Sequence, residues 1–132
     1  MVFMIKFSKQ RDGIYSLLSK KNYHPTVDIL YVLMRRNFPN ISLGTVYRNL
    51  DKLTQMGKII KIDIPDRPAC YDGNTDKHYH ICCTKCGYIE DVCLDFNLRD
   101  SVDINSAIPN FEQLEYDIRF FGICNECKKK KK

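Results

Sequence analysis

Two Cys-x-x-Cys pairs constrain the fold of this 132-residue chain more than any other feature. Cys83 and Cys86 lie beyond its middle, and Cys124 and Cys127 lie close to its end. A fold that brings the pairs together supplies four thiolates in the tetrahedral arrangement of structural zinc. The alternative is a redox or disulfide role. Because there are seven cysteines and no recognisable secretory leader, we expect a reducing compartment and a zinc site.

A second group of metal ligands, His78-Tyr79-His80, stands just before the first cysteine pair. Side chains of an extended strand alternate between its two faces, so His78 and His80 share a face while Cys83 lies on the other. Imidazoles joined by carboxylates suit iron, manganese or exchangeable zinc, whereas four thiolates form a closed structural site. The pattern therefore predicts two metal sites along one strand, one sensory and one structural.

The charge of the chain changes sign near its middle. Residues 1–68 carry 12 basic and 5 acidic side chains, whereas residues 69–127 carry 4 and 11. A basic half favours a polyanion such as nucleic acid, and an acidic half with cysteine and histidine favours cations, although charge alone is equally compatible with two solvated surfaces. The apolar run Met1–Ile5 is too short for a signal sequence or a membrane span, so we expect a soluble cytoplasmic protein without membrane contact.

The basic half has the pattern of a winged helix-turn-helix. The first predicted helix is capped by Ser8 and ends near Lys20 to Asn22. The second is opened by Pro25 and Thr26 and has Arg35 and Arg36 in its last turn. The third runs from Ser42 to Gly57. Alternation over residues 60–64, a turn over residues 65–68 and an extended run over residues 69–71 predict the wing. We assign residues 1–71 to this domain and residues 72–77 to a hinge.

The third helix of this domain presents two different faces. Val46, Leu50 and Leu53 form an apolar stripe at helical spacing, and the opposite face carries Thr45, Arg48 and Lys52. A polar and basic face on the second member of a helix-turn-helix is typical of a recognition helix in a DNA major groove.

Residues 78–132 predict a small α/β domain. The predicted elements are a strand over 78–83, a strand over 88–93, a helix over 97–108 and a strand over 112–121, with the cysteine pairs after the first and last strands. The segment has little apolar mass, so a zinc ion and a partner subunit are both expected to contribute to its stability. Overall the chain is predicted to be α+β.

Several motifs agree in order and spacing with one known family over nearly the whole chain: Ser8 to Arg11, His24-Pro25-Thr26, Ile41 to Leu50, Tyr71-Asp72-Gly73, His78-Tyr79-His80, Cys83 to Gly87 and Gly122 to Cys127. In these motifs the chain resembles the ferric uptake regulator family of metal-dependent repressors. The resemblance implies a homodimer whose winged helices bind pseudo-palindromic operators in double-stranded DNA, with Tyr47 and Arg48 on the reading helix.

The resemblance also implies the metal ligands. Structural Zn²⁺ is expected on Cys83, Cys86, Cys124 and Cys127 of a dimerisation domain. Regulatory Fe²⁺ or Mn²⁺ is expected on one ligand set drawn from both domains and the hinge: His24, Asp72, His78, His80 and Asp91. One ion shared in this way would set the spacing of the two recognition helices, so the metal would act as a corepressor.

With aspartate at position 91, the chain resembles the peroxide-sensing branch of the family. Iron-sensing members often carry glutamate where Asp91 stands and histidine where Tyr116 stands, and zinc-sensing members commonly carry cysteine where Gly73 stands. The resemblance therefore implies that hydrogen peroxide oxidises His24 or His78 in the iron-loaded protein, which then releases its operator. An iron- or manganese-responsive uptake regulator is the alternative.

Two other functional classes are compatible with parts of the pattern. Two histidines and a carboxylate form the facial triad of non-haem iron oxygenases, and a zinc-ribbon module that binds RNA would use the cysteines alone. We expect no enzyme, because half of the chain is a basic winged helix. We further expect buried thiols at Cys70, Cys82 and Cys93, with a redox role near the regulatory metal as the alternative for Cys82.

Overall fold

The computed structural model describes residues 8–95 and 97–130, which form two compact units that divide between Lys77 and His78. Residues 1–7 of the predicted DNA-binding domain and residues 131–132 of the second domain lie outside the described residues. The predicted fold class is confirmed: a winged helix-turn-helix precedes a small unit of strands and short helices. The elements of the first unit are α1 (Lys9–Leu17), α2 (Val27–Met34), α3 (Leu43–Gln55), β1 (Ile60–Ile64) and β2 (Arg67–Asp72).

The three helices begin near the predicted positions, with Ser8 and Ser42 as the predicted N-caps and Thr26 as the N-cap of α2. Ser8 Oγ accepts from Arg11 N at 3.2 Å, Thr26 Oγ1 accepts from Ile29 N at 3.4 Å, and Ser42 Oγ accepts from Thr45 N at 3.1 Å. Each side chain satisfies a backbone N–H that has no partner within its helix.

The ends of the helices agree less well with the predictions. At the end of α3, Gly57 has φ of 73° and donates to Thr54 O, while Lys58 N donates to Leu53 O, each at 3.0 Å. This Schellman motif confirms the predicted stop. In contrast, α1 ends at Leu17, before the predicted stretch, and α2 ends at Met34, so the prediction that both arginines lie in its last turn is wrong.

The core of the first unit joins its helices to the wing. The predicted stripe of α3 is buried there, with Val46 and Leu50 at 0% exposure. The buried cluster comprises Ile14, Leu18, Val27, Leu30, Met34, Ile41, Val46, Leu50, Leu53, Ile59 and Tyr71. All of its members lie in the first unit, so this unit has a hydrophobic core of its own.

The wing is an antiparallel pair in which Ile60 lies opposite Asp72 and Ile62 lies opposite Cys70. Its turn is shorter than predicted and consists of Pro65 and Asp66, the latter with φ of 61°. Aspartate tolerates this left-handed conformation better than most residues, which allows β2 to begin at once.

The second unit is built on a three-stranded sheet. Its strands are β3 (Tyr79–Cys83), β4 (Ile89–Val92) and β5 (Phe120–Gly122), with β3 in the middle, antiparallel to β4 and parallel to β5. Its helices are α4 (Leu98–Ser101), α5 (Ile104–Ala107) and α6 (Asn125–Lys129). Within residues 8–95 and 97–130, every helix is too short or too polar to cross a membrane.

Two predictions for the second unit are wrong. The single helix over 97–108 is two short helices, because Asp103 accepts from Ser106 N at 3.3 Å and from Ser106 Oγ at 2.6 Å and thereby starts a new helix. The long strand over 112–121 is reduced to Phe120–Gly122, which pairs with Ile81–Cys83. Residues 112–119 pair with no strand of the described chain, so they are irregular.

Candidate metal centres

The four cysteines of the two pairs come together in the second unit, with all of their Sγ atoms within 4.8 Å of one another. The Sγ atoms of Cys83 and Cys127 lie 3.8 Å apart, and those of Cys86 and Cys124 lie 3.7 Å apart. A tetrahedral zinc with Zn–S bonds of about 2.3 Å requires sulfur separations of about 3.8 Å. A disulfide bond would require sulfurs about 2.05 Å apart, and none of the seven cysteines, all of which the structure describes, forms one. The geometry confirms the predicted structural zinc site.

The first cysteine pair is shaped by a tight turn. Gly87 adopts φ of 80° and donates to Cys83 O at 2.9 Å, and Tyr88 N donates to Cys86 Sγ at 3.4 Å. Thr84 N donates to Gly122 O at 2.8 Å and so links this turn to β5. Because β5 leads directly into the second pair, these contacts bring the two pairs together.

Hydrogen bonds within the cluster give two of its thiols different pKa values. Backbone N–H groups of Cys124 and Cys86 lower the pKa of Cys83 from 9.0 to about 5, the first through a 3.4 Å contact with Cys83 Sγ. A side-chain hydrogen bond with Cys124 raises the pKa of Cys127 from 9.0 to about 12. Four adjacent thiolates repel one another, so protons or a cation must balance their charge, and a divalent zinc replaces those protons.

A second ligand group in the same unit comprises His78, His80 and Asp91. The two Nε2 atoms are 3.0 Å apart, and Asp91 Oδ1 is 3.2 Å from His78 Nε2 and 3.4 Å from His80 Nε2. Metal–ligand bonds of about 2.1 Å separate adjacent ligands by about 3.0 Å in an octahedron and about 3.4 Å in a tetrahedron. These three atoms therefore have the spacing of one triangular face around a single ion.

Strand pairing explains this triangle. The predicted strand from residue 78 begins one residue later, so His78 lies just before β3 and His80 lies within it. Their Nε2 atoms are nevertheless 3.0 Å apart, and Asp91 on β4 lies directly opposite His80. The side chain of His78 is 4% exposed, and those of His80 and Asp91 are 17% exposed.

The first unit contributes a separate pair, His24 and Asp72. His24 Nε2 lies 3.3 Å from Asp72 Oδ2, and the two side chains are 3% and 2% exposed. Tyr71 N donates to Pro25 O at 2.9 Å, and Thr26 forms an isolated bridge with Cys70. These backbone contacts hold His24, which precedes Pro25, beside Asp72, which follows Tyr71.

The partner that orients Asp72 was not predicted from the sequence. Asn74 N donates to Asp72 Oδ1 at 2.8 Å, and Asp76 N donates to Asn74 Oδ1 at 3.0 Å. The alternation of Asp72, Asn74 and Asp76 is the signal for two successive Asx turns. Asp72 was predicted to open a hinge, but it is the last residue of β2 and is 1% exposed.

The outward face of α3 carries the predicted DNA contacts. Arg48 Nη2 donates to Thr45 Oγ1 at 3.0 Å, and Thr45 Oγ1 lies 2.8 Å from Ser42 Oγ. Tyr47 is 45% exposed, and Lys52 is also exposed. Side-chain contacts along α3 therefore restrain the arginine that faces outward.

The remaining cysteines differ in their surroundings. Cys70 and Cys82 are buried, as predicted, at 6% and 8% exposure. Cys93 is exposed, so the prediction of a buried thiol is wrong there. Cys93 follows the last residue of β4, where the sheet no longer covers it.

Comparisons with known proteins point to one family. The model of the ferric uptake regulator family matches residues 4–121. The peroxide-responsive repressor PerR of Staphylococcus epidermidis is 33% identical over 125 residues, which span 94% of this chain and 82% of that protein. The Campylobacter jejuni peroxide stress regulator is 32% identical with a TM-score of 0.73, over 89% of this chain and 88% of that one. The Helicobacter pylori ferric uptake regulator, whose structure has three functional metal-binding sites, is 25% identical with a TM-score of 0.79, over 94% and 83%.

Proposed function

Because this chain belongs to the ferric uptake regulator family of metal-responsive transcription regulators, we propose that it is a homodimeric repressor that binds operator DNA when its regulatory site holds Fe²⁺ or Mn²⁺. Hydrogen peroxide releases this repressor by iron-catalysed oxidation of a histidine ligand. The observation that carries the proposal is the triangle of two imidazole nitrogens and one carboxylate oxygen with sides of 3.0–3.4 Å.

In this proposal one ion draws on both units. The second unit offers the triangle of His78, His80 and Asp91, and the first unit offers His24 with Asp72. These five donors are nitrogen and oxygen atoms, which suit iron and manganese, and neither unit alone has enough ligands to complete the coordination shell. Metal binding then biases the arrangement of the winged helices toward the one that fits an operator.

The DNA interface in this proposal is the outward face of α3. Arg48 is held by Thr45 in an exposed position, and the exposed Tyr47 and Lys52 extend the same region of the helix. Arginine contacts guanine edges with two hydrogen bonds, while lysine and tyrosine contact phosphates.

The homodimer is supported by apolar residues that the second unit leaves at its surface. A small unit with few buried side chains gains stability when such residues are covered. The large exposed apolar side chains described there are Tyr88, Leu94, Val102, Ile108, Phe111, Phe121 and Ile123.

The peroxide response follows from the ligand set. When bound, Fe²⁺ supplies the electrons that activate hydrogen peroxide beside the histidines. The net reaction inserts one oxygen atom into an imidazole C–H bond and reduces the peroxide to water. His24 and His78 are 3% and 4% exposed, so they are shielded from oxidants in bulk solvent and react only at the metal. The oxidised ring is a poorer ligand, so the metal and then the operator are released.

The test uses full-length, zinc-loaded protein given Fe²⁺ without oxygen and then a small excess of hydrogen peroxide. We expect peptide mass spectrometry to find one added oxygen on the peptide of His24 or His78, together with loss of binding to DNA fragments selected by the Mn²⁺-loaded protein. The Mn²⁺-loaded protein and an Asp91→Ala variant should gain no oxygen. Asp95→Ala, which changes an exposed aspartate outside the ligand set, should react like the unaltered chain.

Other outcomes would identify the alternatives. If the histidines stay unmodified and DNA binding simply follows the free metal concentration, the protein is a metal-uptake regulator. The similarity to the Helicobacter pylori ferric uptake regulator favours this alternative. The triangle of His78, His80 and Asp91 is also the ligand set of non-haem iron oxygenases. Repeated turnover of an organic substrate would establish such an enzyme, whereas the proposed repressor stops after one oxidation of itself.

A further inference from the structure

We infer that Gly73 and the backbone N–H of Asn74 position Asp72 and thereby set the affinity of the regulatory metal. This inference rests on the proposed function, in which Asp72 is a ligand. Gly73 and Asn74 contribute no ligand atom of their own in this scheme, and they act only through the carboxylate that precedes them.

The first observation is the close approach of Gly73 to α1. A Cβ atom added at Gly73 would overlap Leu18 O and would lie 2.8 Å from Leu18 C and 3.2 Å from Leu18 Cβ. The obstructing atoms are mainly backbone at the C-cap of α1, which cannot rotate away as a side-chain tip can. Gly73 lies outside the left-handed region, so its role is to leave space, and any other residue must move the chain away from Leu18.

The second observation is that the two carboxylate oxygens of Asp72 have different partners. Asn74 N donates to Asp72 Oδ1 at 2.8 Å, while Asp72 Oδ2 lies 3.3 Å from His24 Nε2. One oxygen is therefore held by the backbone and the other is directed to the neighbouring ligand. Because the hydrogen bond comes from the residue directly after Gly73, a shift at Gly73 also disturbs the orientation of the carboxylate.

These contacts act together on a buried group. Asp72 is 1% exposed, so its side chain has no room to compensate for a backbone shift by rotating. Partners that orient a metal ligand typically change metal affinity about 10- to 100-fold when they are altered. We expect changes of that size at Gly73 and at the N–H of Asn74.

The experiment is a double-mutant cycle on the full-length, zinc-loaded protein, with free Mn²⁺ followed by electron paramagnetic resonance. Gly73→Ala should weaken Mn²⁺ binding about 10- to 100-fold. Adding Gly73→Ala to Asp72→Ala should weaken it no further, because the residue that Gly73 positions is already absent. Gly57→Ala is the matched control. Gly57 has φ of 73° and no neighbouring atom within 4 Å of an added Cβ, so alanine there strains the backbone of the same unit without a steric clash. Its Mn²⁺ affinity should be unchanged.

A second comparison decides the question if Gly73→Ala does not fold. Asn74→Pro removes the N–H that holds Asp72, and Asn74→Ala keeps it while losing the same side chain. Asn74→Pro should bind Mn²⁺ about tenfold more weakly than Asn74→Ala.

The outcomes separate this inference from the function it rests on. If Asp72→Ala weakens Mn²⁺ binding but Gly73→Ala does not affect it, or if the two changes are additive, the inference is wrong and the ligand set stands. Equal Mn²⁺ affinity for Asn74→Pro and Asn74→Ala would also overturn it. Unchanged binding in Asp72→Ala would refute the proposed ligand set itself, and the inference with it.

Discussion

Replacing Cys124 by serine should unfold the second unit and leave the first unit folded. The serine hydroxyl is not ionised at neutral pH and is a poor zinc ligand, so the link between the two cysteine pairs is lost. The second unit has little to replace that link, since few of its described apolar residues are buried: Tyr79, Cys82, Cys83 and Ile89. The first unit retains its own eleven-residue core.

The expected magnitude follows from the length of the loop that zinc closes. Cys86 and Cys124 are 38 residues apart, and a cross-link over that distance restricts the unfolded chain by about 4 kcal/mol at 25 °C. Whole domains are stable by only about 5–15 kcal/mol, and a unit this small lies toward the lower end of that range. Loss of the zinc link therefore removes most or all of the stability of the second unit.

Zinc content and hydrogen exchange measured by mass spectrometry provide the assay. In Cys124→Ser, zinc should fall below one ion per chain, and the amides of β3 and β4 should lose protection while those of α3 keep theirs. Cys93→Ser is the matched control, because Cys93 is an exposed thiol of the same unit outside the zinc cluster, and it should behave as the unaltered protein. A zinc-free Cys124→Ser protein with protected β3 and β4 amides would show that zinc does not hold the second unit together.

Three further changes test other parts of the molecule. Leu50→Ala, at a fully buried site, should lower the free energy of unfolding by about 2–5 kcal/mol in urea titrations, whereas Val32→Ala, at 60% exposure, should barely change it. Arg48→Ala should weaken binding to selected DNA by about 1–3 kcal/mol, with partial recovery in Arg48→Lys, and equal affinities would remove Arg48 from the interface. Burial raises the pKa of Tyr71 above 10.0, so ionisation favours unfolding and stability should fall above pH 10. Tyr71→Phe should reduce that fall in pH-dependent denaturation, and an unchanged fall would contradict this prediction.

Helix starts were predictable because the responsible atoms are close in sequence. Ser8, Thr26 and Ser42 each cap a helix through an N–H three residues ahead, and Gly57 ends α3 through bonds within the same turn. A short segment contains all the partners that these motifs need.

Elements that depend on distant partners were predicted less well. The apolar pattern of residues 97–108 gave no sign that Asp103 would start a second helix. Extended residues form a strand only where another strand accepts their hydrogen bonds, and β3 offers that edge to Phe120–Gly122 alone within the described chain. Pairing of this kind depends on residues far apart in the sequence.

The chemistry of the sites follows the same division. The types of ligand could be predicted from the residues alone: two cysteine pairs for zinc, and two histidines spaced two positions apart. The distances between sulfurs, the position of Asp91 opposite His80, and the hydrogen bond from Asn74 N to Asp72 became known only from the folded chain. A local pattern encodes the donor atoms a residue offers, whereas its position and orientation depend on backbone contacts with segments distant in sequence, such as that of Gly73 with Leu18.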